Sequence, residues 1–412
     1  MNNFPEFLKK PRARGFFIAG QSTEGQQGNR FSRSFFFKIL LIFLLTGSPV
    51  FLAAENFEQQ EQKVQQALRA MYNMEYKRAG DLFRTVMADT PFHPMGPLGV
   101  LAVQYYQNAE DIGFHRRNQQ FLLDIEQTLQ IYSRQIQHHP DRPEYLFFYG
   151  VVMGLKARIL LVEKNYFGVL TSGLSAIKFI KKAEKLCPDE PDFHLPAGLF
   201  NYYVGISAPY FQIASRIMRE SGSKEDGLKS IKADADHGNY GRWEARALLA
   251  YIYLYLESDY AGSFAYAAKL ADIFSDNPYY AGLTADALIH LGEIDQARIY
   301  MKRVQNLLPT LKPRAVLEYQ AKLQNLNGSL ALAEGHLSEA ETNLKLFIRD
   351  YAFELDYDLG NAYLQLGNVY DLQKRRPEAI ACYRKVIDLN NRTTAVRLAK
   401  IYLQKPFSVK AH

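Results

Sequence analysis

Cysteine is scarce: Cys187 and Cys382 are the only two in 412 residues, and they form no CxxC pair. That spacing suggests neither a zinc site nor a disulfide framework. Both read as plain buried thiols, with Cys187 closing a helix before Pro188. Tryptophan occurs once. No convincing alternation of polar and apolar residues is present, which argues against half-buried strands. The short motifs of catalysis are missing too. No Walker-type loop ends in Gly-Lys, no G-x-G-x-x-G follows a strand, and HExxH does not occur. The nine histidines are scattered, and the one adjacent pair, His138-His139, would point apart on a helix. Asp189, Glu190 and Asp192 read as a solvated turn with a helix cap, and Lys181, Lys182 and Lys185 as a solvated face. No catalytic set, metal site or cofactor is expected.

The body of the chain also lacks excess positive charge. Residues 1–54 hold seven basic residues against two acidic ones, so they carry +5 of the net +6. A nucleic-acid binder needs its basic surface on the folded part, and that class is set aside. Within the leader, Arg33 and Lys38 form a positive stretch before the uncharged run Ile39–Leu45; Thr46–Pro49 breaks it, and Val50–Ala54 ends in small residues. This is the layout of a secretory signal peptide cut near Ala54. The alternative is an uncleaved anchor, but a span needs about 20 apolar residues. The run Ile39–Ala54 has 16 and is interrupted by Pro49. No cysteine sits near the cut, which excludes a lipoprotein. Residues 1–30 show no periodicity and read as an over-extended start or a disordered tail.

What is abundant is helical periodicity, and it repeats. Ala79, Phe83 and Val86 recur as Ala297, Met301 and Val304, and again as Ala379, Tyr383 and Val386. Positions i, i+4 and i+7 share one helix face. Pro91 and Pro309 follow 12 residues after the alanine of their sets and end the helix. An earlier helix carries Tyr363, Leu366, Gly367 and Tyr370. Gly367 and Ala379 are small where two helices approach, and Tyr370 and Tyr383 fill the wider gaps. The spacing therefore predicts antiparallel helix pairs. In the first half Pro91, Pro140 and Pro188 lie 49 and 48 residues apart, so each unit carries extra residues, as longer helices or insertions.

These residues resemble the tetratricopeptide repeat (TPR) pattern, a 34-residue unit of two helices. Tyr363, Leu366, Gly367, Tyr370, Ala379 and Tyr383 match it, with Val386 in place of its second alanine; Gly328, Gly335, Ala340 and Leu344 form a weaker copy. The centre, through Tyr202, Tyr203, Gly205, Pro209, Gly227, Leu228, Glu244, Ala245 and Leu249, is similar to exported bacterial repeat proteins. It is more weakly similar to a eukaryotic family tied to the mitochondrial outer membrane and inclusion clearance. The resemblance implies an all-α, right-handed solenoid of about seven stacked helix pairs. The expected divisions are 1–54 (extension and signal), 55–240 (irregular repeats), 241–405 (regular repeats) and 406–412 (tail).

By the same resemblance, the variable positions of the first helices face a concave groove: Tyr279, Asp286 and His290; Lys322, Asn325 and Ser329; Asn361, Asn368 and Asp371. The set lacks the repeated Lys-Asn-Arg arrangement that grips a C-terminal carboxylate. The expectation is a non-catalytic scaffold with a protein or peptide partner and no nucleic acid. It would be exported, periplasmic or outer-membrane-associated, with membrane contact through an uncleaved leader or an envelope partner. Two alternatives stand beside it: an enzyme or small-ligand binder with a site near Tyr202–Tyr210, and a membrane-anchored structural protein.

Overall fold

The computed structural model describes residues 49–111, 114–163, 165–206, 223–351 and 356–408. The chain divides into Met1–Asn56 and Phe57–His412. The signal-peptide run and most of the segment Tyr202–Tyr210 fall outside the described residues. Among those residues there are seventeen α-helices and no strand.

The helices follow one another in antiparallel pairs. The first three pairs are α1 (Pro49–Tyr72) with α2 (Tyr76–Asp89), α3 (Met95–Asp111) with α4 (Phe114–His138), and α5 (Pro143–Val162) with α6 (Tyr166–Leu186). Then come α7 (His194–Ile206) with α8 (Lys224–His237), and α9 (Arg242–Ile252) with α10 (Tyr260–Ile273). The regular C-terminal pairs are α11 (Pro278–Leu291) with α12 (Ile294–Leu307), α13 (Pro313–Ala333) with α14 (Leu337–Asp350), and α15 (Tyr357–Leu372) with α16 (Arg376–Asp388). Helix α17 (Thr394–Gln404) closes the series. The extra length of the early units lies largely in the helices. Helices α3 to α6 have 17, 25, 20 and 21 residues, against 14 each in α11 and α12.

The small-for-large logic read from the sequence operates at the crossings. A Cβ at Gly367 would lie 2.4 Å from the Tyr383 ring, and one at Gly328 2.7 Å from Leu344. Gly150 takes Ile180 in the same way, at 2.7 Å. Ala79, Ala297 and Ala379 are all fully buried. Replacing Ala379 by Leu should overpack the α15–α16 contact and cost roughly 1–3 kcal/mol, read as a lower denaturation midpoint at unchanged m-value. Pro143, Pro278 and Pro313 start helices where a missing N–H is harmless, and Gly292 and Gly335 leave them at φ 78° and 80°.

First helices of successive pairs touch one another: α3 with α5, α9 with α11, α11 with α13, and α13 with α15. Among the described residues, second helices make no comparable contact with each other. The first helices therefore form a common inner side. Helix α5 is apolar and long enough to cross a membrane by length and composition alone. Tyr145, Leu146, Phe148, Val152 and Ile159 of α5 are buried in the core, however, so it reads as a core helix.

Contacts also join distant parts of the unit. Asn239 Nδ2 and the Tyr240 hydroxyl donate to Glu61 of α1 at 2.9 and 2.8 Å. The Tyr72 hydroxyl donates to Glu244 at 3.3 Å, and Asn277 Nδ2 to the Tyr72 carbonyl at 2.8 Å. Helix α1 thus docks on the α8–α9 and α10–α11 turns. Trp243, Phe274 and Tyr280 accordingly share one core with Val64, Leu68 and Met71, and helices from both sides of position 240 contribute to it.

Candidate functional site

The inner side gathers tyrosines because the first helices repeat them. Tyr105 and Tyr106 of α3, Tyr203 of α7, Tyr251 of α9, Tyr279 of α11 and Tyr357 of α15 are each half-buried there. Tyr251 packs on Tyr255 at 4.8 Å and on Tyr357 at 5.5 Å between ring centres. Tyr203 and Tyr357 share a hydrogen bond. Charged groups stand among the rings. The Arg158 guanidinium lies 5.6 Å over the Tyr105 ring, and the Lys322 ammonium 5.0 Å over that of Tyr279. Burial pushes the Glu244 carboxyl upward, while the Arg158 charge and the Tyr72 hydroxyl draw it back. The Glu244 charge and burial push the Tyr106 hydroxyl well up, so that it stays a neutral donor.

Three of the residues expected in a groove meet around one buried centre. The Tyr255 hydroxyl donates to Asp358 at 2.6 Å and lies 3.3 Å from Asp286. Lys322 approaches Asp358 at 3.7 Å, and His290 approaches Asp286 at 3.5 Å while stacking on Tyr260 at 4.3 Å. Burial raises the Asp286 pKa, and its Oδ1 has no hydrogen-bond partner. A hydroxyl has one proton. With that proton on Asp358, a protonated Asp286 can return a hydrogen bond to the Tyr255 oxygen.

The other expected positions sit elsewhere. Asn325 and Ser329 are buried in α13; the Ser329 hydroxyl donates to Gln365 Oε1 at 2.7 Å, and Asn325 Oδ1 is unpartnered. Asn361 is half-buried on α15. The Tyr383 hydroxyl donates to Asp371 Oδ2 at 2.8 Å and lies 3.0 Å from Asn368 Oδ1. Asp371 also holds Arg376 at 3.0 Å and the backbone N–H of Phe407 at 2.8 Å. These two carboxyl and amide groups are committed to the α15–α16 contact and to the chain after α17.

Arg158, Glu244 and Asp358 were missed as neighbours. Each stands alone in its helix pattern, and only the assembled inner side brings them together. Asp192 differs from the solvated turn expected of it. It is buried, and its Oδ1 accepts from the N–H groups of Tyr240 and Gly241 at 2.8 and 2.9 Å. Cys187 does close α6, with its N–H on the Ala183 carbonyl, but it is half-buried rather than buried as expected, while Cys382 is buried. A separate cavity of about 940 Å³ opens between the α1–α2 turn and the α12–α13 connection, lined by Tyr76, Lys77, Leu82, Asp276 and Leu311 among others. Among the described residues, no group of three His, Cys, Asp or Glu side chains is arranged to hold a metal ion.

The arrangement is an all-α array of TPR-type helix pairs with a tyrosine-rich inner side. No family model matches the chain, and no curated protein matches it. Similar solved structures include yeast Tom70, at 12% identity and TM-score 0.26, covering 84% of this chain and 95% of that one. The TPR domain of P58(IPK) is 13% identical at TM-score 0.24, covering 84% and 98%. Naa15/Naa10 bound to HypK is 14% identical at TM-score 0.28, covering 81% and 62%. The reading of the fold rests on this chain's own helix pairing and inner contacts.

Proposed function

We propose that the protein is a non-catalytic binding scaffold of the cell envelope that holds an extended protein segment along its inner side. The observation that carries this is the line of half-buried tyrosines on the first helices, interleaved with Arg158, Glu244 and Lys322. Tyrosine offers apolar area and a hydroxyl at little entropic cost, and interfaces are enriched in it. Of the positions expected to face a partner, Tyr279, His290, Lys322 and Asn361 are the proposed contacts and Asp286 supports them from beneath; Asn325 and Ser329 are buried in α13, and Asn368 and Asp371 hold the α15–α16 contact. Export rests on the leader and its predicted cut near Ala54.

The test is crosslinking in envelope fractions, capture through a C-terminal tag, and mass spectrometry of both the partners and the mature N-terminus. A recurrent partner should be lost, at least tenfold, when Arg158, Tyr279 and Lys322 are all changed to Ala. The far-ultraviolet spectrum should stay helical. A partner retained by that variant, or none recovered from a folded chain, would sink the reading.

A further inference from the structure

Helix α6 carries a second surface that the inner side does not use. Its packed face is Ser172, Ala176, Ile180 and Ala183, all buried against α5. At 100° per residue, the opposite line runs through Phe167, Leu170, Leu174, Lys178, Lys181 and Lys185. Every one of these six is exposed. Phe167, at 78% accessible, is the most exposed of the large apolar side chains among the described residues, and Leu170 stands at 52%. Leu161, at the end of α5, adds a further exposed side chain at 53%. The line therefore changes character along its length: apolar over its first half, basic over its second. Lys182 and the exposed Leu186 flank the basic half on one side and the half-buried Glu184 on the other.

The exposed line itself carries no acidic residue, whereas a solvated helix face mixes both signs of charge along it. The distribution is not that of a helix–helix contact either, whose apolar stripe would run the full length. It fits a boundary between hydrocarbon and negative charge. We propose that α6 lies on an anionic lipid surface, with Phe167, Leu170 and Leu174 inserted at the acyl boundary and Lys178, Lys181 and Lys185 on the headgroups. A helix of 21 residues lying flat would reach over about 30 Å of that surface. Each lysine near an anionic leaflet contributes about fivefold in affinity. Apolar insertion supplies the part that salt does not screen. The surface is separate from the inner side, so the chain can be held on a membrane while its groove stays open. Contact by this route needs no retained leader.

The experiment uses the full chain with Phe167→Trp, and independently Leu170→Trp. The one native tryptophan, Trp243, is buried and supplies the background. Vesicles contain brominated phosphatidylcholine with or without roughly one third phosphatidylglycerol. Bromine quenches only a ring that enters the acyl region, so binding through the leader does not mimic the signal. The expected result is quenching of the new tryptophan with phosphatidylglycerol present, and none in pure phosphatidylcholine. Adding Lys178→Gln, Lys181→Gln and Lys185→Gln should weaken the lipid dependence about a hundredfold. Three outcomes would overturn the proposal. One is vesicle binding without quenching. Another is emission already blue-shifted in buffer at all concentrations, meaning that the chain itself covers the face. The third is a blue shift that grows with protein concentration, meaning that a second copy does.

Discussion

Replacing Asp234 by Asn should stabilise the protein at pH 8 and leave it little changed near pH 5. Asp234 lies in α8 and is fully buried, and neither of its carboxyl oxygens has a hydrogen-bond partner. It is wedged under the α8–α9 turn: a Cβ at Gly238 would fall 1.9 Å from Oδ1, and one at Gly241 2.5 Å from Oδ2. Asp192 stands beside it with Oδ2 also unpartnered, and Glu190 and Glu61 add negative charge to the surroundings. Burial first, and the Asp192 charge second, push the Asp234 carboxyl from 3.8 up to about 8. Burial also raises Asp192, although three backbone N–H groups draw it back. A protonated Asp234 can donate to the neighbouring Asp192 carboxylate, so that the pair shares one proton.

The folded state thus binds this proton more tightly than the unfolded chain does. Its stabilising effect is complete below the unfolded value of 3.8 and is lost as pH rises toward about 8. Between about pH 5 and pH 8 the loss is on the order of 3–4 kcal/mol. Glu61 titrates in the opposite sense. Its pKa is lowered despite burial, chiefly by hydrogen bonds to His93 and Tyr240, so its contribution disappears as pH falls. The informative quantity is therefore the difference between the wild type and the Asn variant, whose amide can donate to Asp192 at any pH. Urea denaturation at both pH values measures it. A gap between the two proteins that does not widen from pH 5 to pH 8 would refute the shared proton.

Gly227→Ala should destabilise the chain by about 3 kcal/mol, at the upper end of overpacking costs. Here the obstruction is backbone rather than side chain. A Cβ on Gly227 would lie 2.4 Å from Tyr202 N and 2.7 Å from the Gly198 carbonyl oxygen. At Gly367 the obstruction is the Tyr383 ring, which can tilt. At Gly227 only separation of α7 from α8 gives relief, and that loosens Tyr202 and Ile231, both fully buried between them. Gly367→Ala should therefore cost less than Gly227→Ala. Denaturation curves for the two variants test the order directly, and equal costs would mean that the α7–α8 contact is more compliant than its geometry implies.

Much of the pairing was legible in the sequence, because a helix face obeys a period. Ala379, Tyr383 and Val386 line up on α16 whatever surrounds them, and all three are buried. Gly367 announced a close crossing for the same reason. The inner side was legible only in part. Tyr279 and Lys322 lie on it, yet Asn368 and Asp371, at similar positions on α15, turn toward Tyr383 instead. A small rotation of one helix moves a residue from the inner side to the pair contact, and a period of 3.6 does not resolve that. The docking of α1 left no pattern at all. It depends on single polar residues such as Gln65, which donates to the Asn239 carbonyl at 3.2 Å, and Asn73, which donates to Asp276 at 2.9 Å. The acidic turn misled for a related reason: Asp192 looks solvent-facing until the α8–α9 turn closes over it.

That docking changes how the molecule should come apart and assemble. In an open row of repeats each unit answers mainly to its neighbours, folding can start anywhere, and the ends fray first. Here the bonds of α1 to the α8–α9 and α10–α11 turns span 172–205 residues. A contact of that range forms only after the intervening chain is ordered, which slows folding and raises contact order. Once made, it removes the free N-terminal end and ties the middle of the array to its beginning. Helices α1 to α11 should accordingly unfold as one cooperative block. Hydrogen exchange at α9 should then respond to substitutions in α1 as strongly as to those in α10.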